Sequence, residues 1–268
     1  VAKSGQARVL RPHQIDELFS IIRQHRHPEK NAAIMQVSFS LGLRAQEISL
    51  LQIKEVAKLG PETASGLRGF KLKEILKLPA SYTKGANAVR PEAKSPERQG
   101  STVKFTKDRF NEIVDEVAER ARAGLPVRPE SYYPKPAKRS GVSRDLPLAD
   151  DELQAALIAY LEVRLKADPY AKMSDPLFLT QKGVAYTPNS LQKHMRLMLI
   201  GWAGIEGASS HSGRRTFATD VIHGQGKPVK VAQRLMGHKE ASTTILYTEP
   251  PEEEMASALS GLTYKRNE

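Results

Sequence analysis

Apolar side chains follow a helical rhythm along most of the chain and lose it in the middle. Ile15, Leu18, Phe19 and Ile22 recur at steps of three and four behind Pro12, so the spacing predicts an amphipathic helix opening at Arg11-Pro12. A second helix is predicted from about Asn31 to Leu41, stopped by Gly42, and a third just past Arg44, carrying Ile48 and Leu51. From about Ala57 to Pro136 prolines, glycines and lysines crowd the chain, and stretches such as Arg90 to Pro96 read as loop. One helix stands out inside it: Phe110, Ile113, Val114, Val117 and Ala121 share a face, and Gly124 closes it. Ser140-Gly141, flanked by basic residues, reads as a hairpin tip leading into Leu146-Pro147-Leu148.

The rhythm then resumes. Leu153, Leu157, Tyr160 and Leu161 predict a helix from about Asp151, and Pro176 to Thr180 reads as a short strand. Thr187-Pro188 is a cap followed by proline at the first helical position, with Leu191, Met195, Leu199 and Trp202 continuing the apolar face. Further helices are predicted near Ser210, at Pro228 and near Ser242. Pro250-Pro251 ends the last of these, and the acidic run beginning at Glu252 suits the start of another helix. The class that results is mainly α with a small antiparallel β-sheet, an α+β arrangement.

Composition narrows the chemistry. The 268 residues are enough to bury a proper core, and 40% hydrophobic content suits a folded protein. No apolar run approaches the roughly 18–20 residues that span a bilayer, and Val1 to Leu10 has no secretory apolar segment, so the expected setting is cytoplasmic. With no cysteine, disulfides and thiolate-bound metals are excluded. The net charge of +11 favours a polyanionic partner, of which nucleic acid is the commonest. Aromatics make up only 6%, so contact with duplex phosphates is a more natural mode than stacking on single-stranded bases.

Three segments carry the candidate chemistry: Gly42-Leu43-Arg44-Ala45-Gln46-Glu47-Ile48, Ser210-His211-Ser212-Gly213-Arg214-Arg215-Thr216-Phe217-Ala218-Thr219, and Gly237-His238 followed by Ser242-Thr243-Thr244 and Tyr247. Two arginines can hold one phosphate through planar, bidentate hydrogen bonds and neutralise charge that grows on its non-bridging oxygens. Histidines add donors or move protons near neutral pH. A tyrosine hydroxyl becomes a nucleophile once positive charge or a base relieves it of its proton. Taken singly, each residue has a plainer explanation. Arg44 can simply pair with Glu47, His211 can cap a helix, and Tyr247 can pack.

Their order and spacing resemble the tyrosine recombinase, or phage integrase, family. Gly42 to Ile48 is similar to the family's first-arginine box, His211-x-x-Arg214 to its second, and Gly237-His238 with Tyr247 nine residues on to its third-histidine and nucleophile box. The resemblance spans about Leu10 to Ala258 and departs at Gly213, where the family usually has an apolar residue. It implies the tyrosine-recombinase catalytic-domain fold, with catalytic residues Arg44, Lys138, His211, Arg214, His238 and Tyr247. Glu47 would orient Arg44. The family's hairpin, a lysine and a turn before Arg-x-x-Pro-Leu, resembles Lys138 through Leu148; counting back from Pro147 gives Arg139 as the alternative, and the lysine is assigned to Lys138 because a lysine gives up a proton far more readily than an arginine.

The implied activity is site-specific recombination of DNA through a 3′-phosphotyrosyl intermediate, with no cofactor and no metal. It would serve integration, excision, inversion or resolution of a mobile element in a prokaryotic cell. The implied partners are double-stranded DNA, further copies of the chain in a tetramer on paired sites, and accessory DNA-bending proteins, with no membrane. A type IB topoisomerase-like enzyme and a non-catalytic DNA-binding protein of the same fold are the alternatives. The expected organisation is a single catalytic domain over 1–268, with no core-binding domain before it. An atypical basic insertion lies at about 57–136 and a tail at about 249–268. Lysines and arginines of the insertion, among them Lys71, Lys73, Lys77, Lys84, Arg90 and Lys94, are candidates for extra DNA contact.

Overall fold

The computed structural model describes residues 6–62, 68–83, 107–128, 132, 143–248, 250 and 252–260. The chain divides into two compact units, one made of residues 1–84 and 142–268, the other of residues 85–141. In the first unit α1 (Pro12–Gln24) is amphipathic as its spacing requires, burying Leu18 and Ile22. It lies on α2 (Pro28–Leu41), which starts three residues earlier than predicted, with Pro28 in its first turn. α2 is buried nearly all round because α1, α6 (Asp151–Ala167) and α8 (Ser212–Thr219) pack on its different sides. It ends at Gly42, whose φ of +59° only glycine adopts freely.

After the short helices α3 (Ala45–Leu50) and α4 (Ile53–Val56), the chain makes three strands in a stretch where the sequence predicted no element. β1 (Ala57–Glu62) and β2 (Arg68–Leu72) form an antiparallel pair, with Ala57 opposite Leu72. β3 (Ile75–Leu78) pairs with β4 (Arg144–Pro147), setting Leu78 opposite Arg144 and burying Leu76, Leu78 and Leu146. The strand before Leu148 thus has the partner a hairpin needs, and the residues joining the two strands include the whole of the second unit. The described part of that unit is mostly α5 (Lys107–Arg122), which Gly124 follows at φ +68°. Phe110 and Val114 on its apolar face are exposed.

α6 buries Leu153, Leu157, Tyr160 and Leu161, the positions its spacing picked out. The predicted strand at Pro176–Thr180 is not one. Its backbone forms single bridges, Gln52 with Pro176 and Leu179 with Ala185. The apolar run has a different cause: Leu177 and Phe178 cross the core, with the Leu177 N–H bonded to the Leu51 carbonyl at 2.7 Å and its carbonyl taken by the Tyr160 hydroxyl at 2.8 Å. α7 (Pro188–Arg196) begins with Thr187 accepting from the Ser190 N–H at 3.1 Å, and passes into a π-helical turn over Leu197–Trp202. α8 starts at Ser212, two residues later than expected, and also passes into a π turn, Asp220–Gly224. α9 (Val229–Met236), α10 (Ala241–Ile245) and α11 (Glu252–Ser260) complete the order.

The N-terminal segment is laced to α8. The Leu10 N–H donates to Thr216 Oγ1 at 2.9 Å, and the Arg215 guanidinium holds the Ala7 carbonyl. Gly213 lets α8 approach α2, since a Cβ there would stand 2.3 Å from Ser38 Oγ. That accounts for a glycine at this place in the helix.

Candidate active site

Five elements, α3, β4, α8, α9 and α10, bring one polar cluster together in the first unit. Arg44 is the N-cap of α3, and Glu47, on the first turn of that helix, accepts the Arg44 backbone N–H at 2.8 Å. This capping bond folds the Glu47 carboxylate back toward the start of the helix, where it is completely buried. Glu47 Oε1 then takes the Arg44 guanidinium at 3.3 Å and Arg144 Nη2 at 2.5 Å, while Arg214 Nη1 stands 4.0 Å from Oε2. A single buried carboxylate therefore faces three guanidinium groups, leaving an excess of two positive charges.

Arg214, on the first turn of α8, has no solvent exposure. Its Nη1 donates to the Gly42 carbonyl at 2.5 Å, just past α2, and Nη2 to the Met236 carbonyl at 2.6 Å, the last residue of α9. Carbonyls at helix C-termini lack intrahelical partners and carry the negative end of the helix dipole, so both solvate the buried charge. Burial chiefly, and then the neighbouring Arg44 guanidinium, push the Arg214 pKa below its usual value.

His238 follows Gly237, which ends α9 at φ +66°. Its Nε2 lies 2.8 Å from Arg214 Nη2 and its Nδ1 2.9 Å from the buried Thr244 Oγ1. A guanidinium can only donate, so Nε2 accepts, and Nδ1 carries the proton to Thr244. Burial first, then Arg214, Arg44 and Arg144, pull the His238 pKa down to about 3. With both ring nitrogens engaged, His238 suits a prop for Arg214.

Tyr247 follows α10 and is half-buried, its ring 5.1 Å from that of His238 and 5.5 Å from the Arg214 guanidinium carbon. His211 caps the N-terminus of α8, three residues before Arg214, and is exposed. Lys138 and Arg139 lie outside the described residues. Of the predicted set, the fold gathers Arg44, Glu47, Arg214, His238 and Tyr247 around one point and sets His211 one helical turn from Arg214.

Sequence reasoning assigned no role in the site to Arg144, Thr244 or Gln233. The signal for Arg144 was its fixed place ahead of Pro147-Leu148. Thr244 was signalled by its six-residue spacing from His238. Gln233 left no signal; its amide holds the carbonyls of His238 and Lys239 at 3.1 and 2.9 Å.

Beside the cluster, a groove of about 860 Å³ between β4 and α9 is lined by Arg144, His238, Lys230, Arg234 and Lys239. Among the described residues no His, Asp or Glu group is arranged to hold a metal, and no helix is long and apolar enough to cross a membrane.

Residues 135–254, which hold Arg214, His238 and Tyr247 but not Arg44 or Glu47, match the model of the phage integrase family. Over that stretch the chain is similar to the catalytic domain of tyrosine recombinases. The tyrosine recombinase XerC of Actinobacillus succinogenes is 32% identical over 109 residues, covering 39% of this chain and 34% of that protein. XerC of a Methylobacterium species is 37% identical over 108 residues, 40% of this chain and 32% of its own length. These matches thus span about a third of the relatives' length. Among solved structures, XerA recombinase aligns over 98% of this chain and 68% of its own, with TM-score 0.59 and 17% identity. XerH recombinase bound to a palindromic difH substrate aligns over 96% and 54%, with TM-score 0.55 and 17% identity. At such identities the structural likeness establishes the recombinase fold.

Proposed function

We propose that the chain cuts and rejoins double-stranded DNA at specific sites through a covalent bond to Tyr247. The observation that carries this is the placing of the Tyr247 ring over a buried arginine cluster with two positive charges in excess. In this reading Arg44 and Arg214 grip the non-bridging oxygens of one phosphate. The Tyr247 oxygen attacks phosphorus, the bond to the 5′ oxygen breaks, and Lys138, or Arg139 in its place, supplies the proton that the leaving oxygen needs. His211 donates to the phosphate and takes part in moving the tyrosine proton. The 5′ hydroxyl of a second strand reverses the step, so the energy of the broken bond is kept in the phosphotyrosine.

The solved relatives include a Tn1549 transposon integrase in complex with transposon right end DNA, in keeping with a mobile-element enzyme. The basic groove between β4 and α9 suits the flanking backbone. Residues 1–84 and 142–268 are read as the catalytic domain, and residues 85–141 as an insertion between β3 and β4. Met255 and Leu259 stand exposed on α11, which fits a tail that docks on another copy in a tetramer on paired sites.

The test is a nicked suicide duplex taken from the DNA flanking the gene, with wild type beside Tyr247→Phe. Wild type should form a 3′-linked adduct that survives denaturation, and Tyr247→Phe none. An adduct with both would remove Tyr247 as nucleophile. Relaxation of supercoiled plasmid without any paired site would favour a topoisomerase.

A further inference from the structure

Arg144 is buried, and its guanidinium joins three parts of the fold. It leaves β4 at its first residue and passes over Gly237, where a Cβ would come within 2.6 Å of its Cδ and 2.9 Å of its Nε. Its Nη1 then donates to the Leu235 carbonyl at 2.8 Å, near the end of α9, and its Nη2 to Glu47 Oε1 at 2.5 Å. Both terminal nitrogens thus bond protein acceptors. One side chain ties together the strand that leaves the inserted unit, the turn that carries His238 and the carboxylate beneath Arg44.

We propose that Arg144 is a positioning residue that keeps Arg44 and Arg214 available to a bound phosphate by occupying Glu47. The alternative partners of that carboxylate are close. Arg44 Nη1 reaches Oε1 only at 3.3 Å, and Arg214 Nη1 lies 4.0 Å from Oε2. Without Arg144, the carboxylate keeps its full charge and loses its shortest contact. It would draw one of the other guanidiniums into a tight pair, and a guanidinium so paired turns its donors away from an anion. Lysine could replace the charge but not both bonds, because one ammonium cannot span Glu47 and Leu235 as the planar fork does.

This rests on the reading of the cluster as a phosphate grip, and its test has two arms, both on the full chain. In the first, inorganic phosphate is titrated calorimetrically into wild type, Arg144→Gln and Arg144→Lys. The affinity should fall about tenfold or more with glutamine and less with lysine. Unchanged affinity in a folded Arg144→Gln overturns the proposal. In the second, single-turnover adduct formation is followed on the nicked duplex with either a phosphodiester or a neutral methylphosphonate at the cut. On the phosphodiester Arg144→Gln should be slower by about 10²–10³-fold, the effect of losing aligned charge at a transition state. On the methylphosphonate, which develops less charge for guanidiniums to neutralise, it should come within about threefold of wild type. An equal loss on both substrates would mark a merely damaged fold and overturn the proposal. Should wild type form no adduct at all, the recombinase reading fails, and the phosphate titration still decides the part of Arg144.

Discussion

Replacing Glu47 with glutamine removes the one carboxylate that three guanidiniums share while keeping its shape. Oε2 accepts the Arg44 backbone N–H at 2.8 Å, and Oε1 accepts Arg144 at 2.5 Å and Arg44 at 3.3 Å. Whichever way the new amide turns, its NH2 faces a donor. Losing the charged partner of a buried ion pair costs about 3–5 kcal/mol. The partial exposure of Arg44 puts the expected loss toward the lower end, since water can take over some of its solvation. For a chain of this size such a loss corresponds to a fall in Tm of roughly 6–15 °C.

The same substitution should make stability depend on anions. Three uncompensated guanidiniums form a stronger phosphate site than the wild-type cluster. An anion that binds only the folded state stabilises it by about 2.7 kcal/mol when present at a hundred times its Kd. The assay is thermal unfolding of wild type and Glu47→Gln at fixed ionic strength, with chloride exchanged stepwise for phosphate. The variant should melt well below wild type in chloride and recover part of the gap in phosphate. A variant melting within about 2 °C of wild type in chloride, with no steeper phosphate response, would refute the claim that this carboxylate holds the cluster together.

Other outcomes follow from single contacts. Thr244→Val keeps the side chain's shape but leaves the His238 Nδ1–H without its acceptor, at a cost of about 1–3 kcal/mol in urea unfolding, and the His238 ring ¹⁵N shifts should lose the pattern of a Nδ1-protonated tautomer; unchanged shifts would exclude the assigned proton. Gly213→Ala should destabilise by about 1–3 kcal/mol despite the better helix propensity of alanine, because its Cβ would stand 2.3 Å from Ser38 Oγ and 3.2 Å from the Ser38 carbonyl carbon; a more stable variant would contradict the close approach of α8 and α2. Acid should destabilise the fold through two histidines, since burial chiefly lowers the His238 pKa to about 3 and the His194 pKa to about 4, so the unfolded chain binds protons that the folded chain refuses. Stability is then full above pH 6.5 and lost as pH falls from there toward 4, by about 1–2 kcal/mol per histidine at pH 5, and His194→Gln should flatten the slope of ΔG against pH.

Much of the fold was legible because most of its elements are helices whose apolar positions report local geometry. α1, α5 and α6 bear the faces that their spacing shows, although α5 leaves Phe110 and Val114 exposed. β1, β2 and β3 were not legible. Ala57-Lys58-Leu59-Gly60-Pro61 has no alternation to read, and β3 finds its partner only at residues 144–147, beyond the whole second unit. The run Pro176–Thr180 misled for the opposite reason. It is apolar because it crosses the core, and its Leu177 backbone groups bond to Leu51 and Tyr160. The site was legible where residues lie in short ordered boxes. Arg144 joins it through a long-range contact with Glu47, and no spacing within one box announces such a contact.

The manner in which the buried arginines are held explains how the cluster can be stable and still attract an anion. A second carboxylate would have solvated Arg214 well, but it would also have cancelled the field that a phosphate needs. The fold uses carbonyls instead. Arg214 takes those of Gly42 and Met236, and Arg144 takes that of Leu235, all at or beside the C-terminal ends of α2 and α9. Each offers a partial negative charge and an unfilled lone pair, so the guanidiniums are hydrogen-bonded without being formally neutralised. This requires two helices to end within reach of the same arginines, and both do so at glycines with positive φ, Gly42 and Gly237. A Cβ at Gly237 would strike Arg144, and one at Gly42 would come within 2.5 Å of the Phe217 ring, one turn along from Arg214 on α8. The glycines of the first and third boxes therefore serve the charge of the second. They let two helix ends close on α8 while leaving the excess of positive charge facing Tyr247.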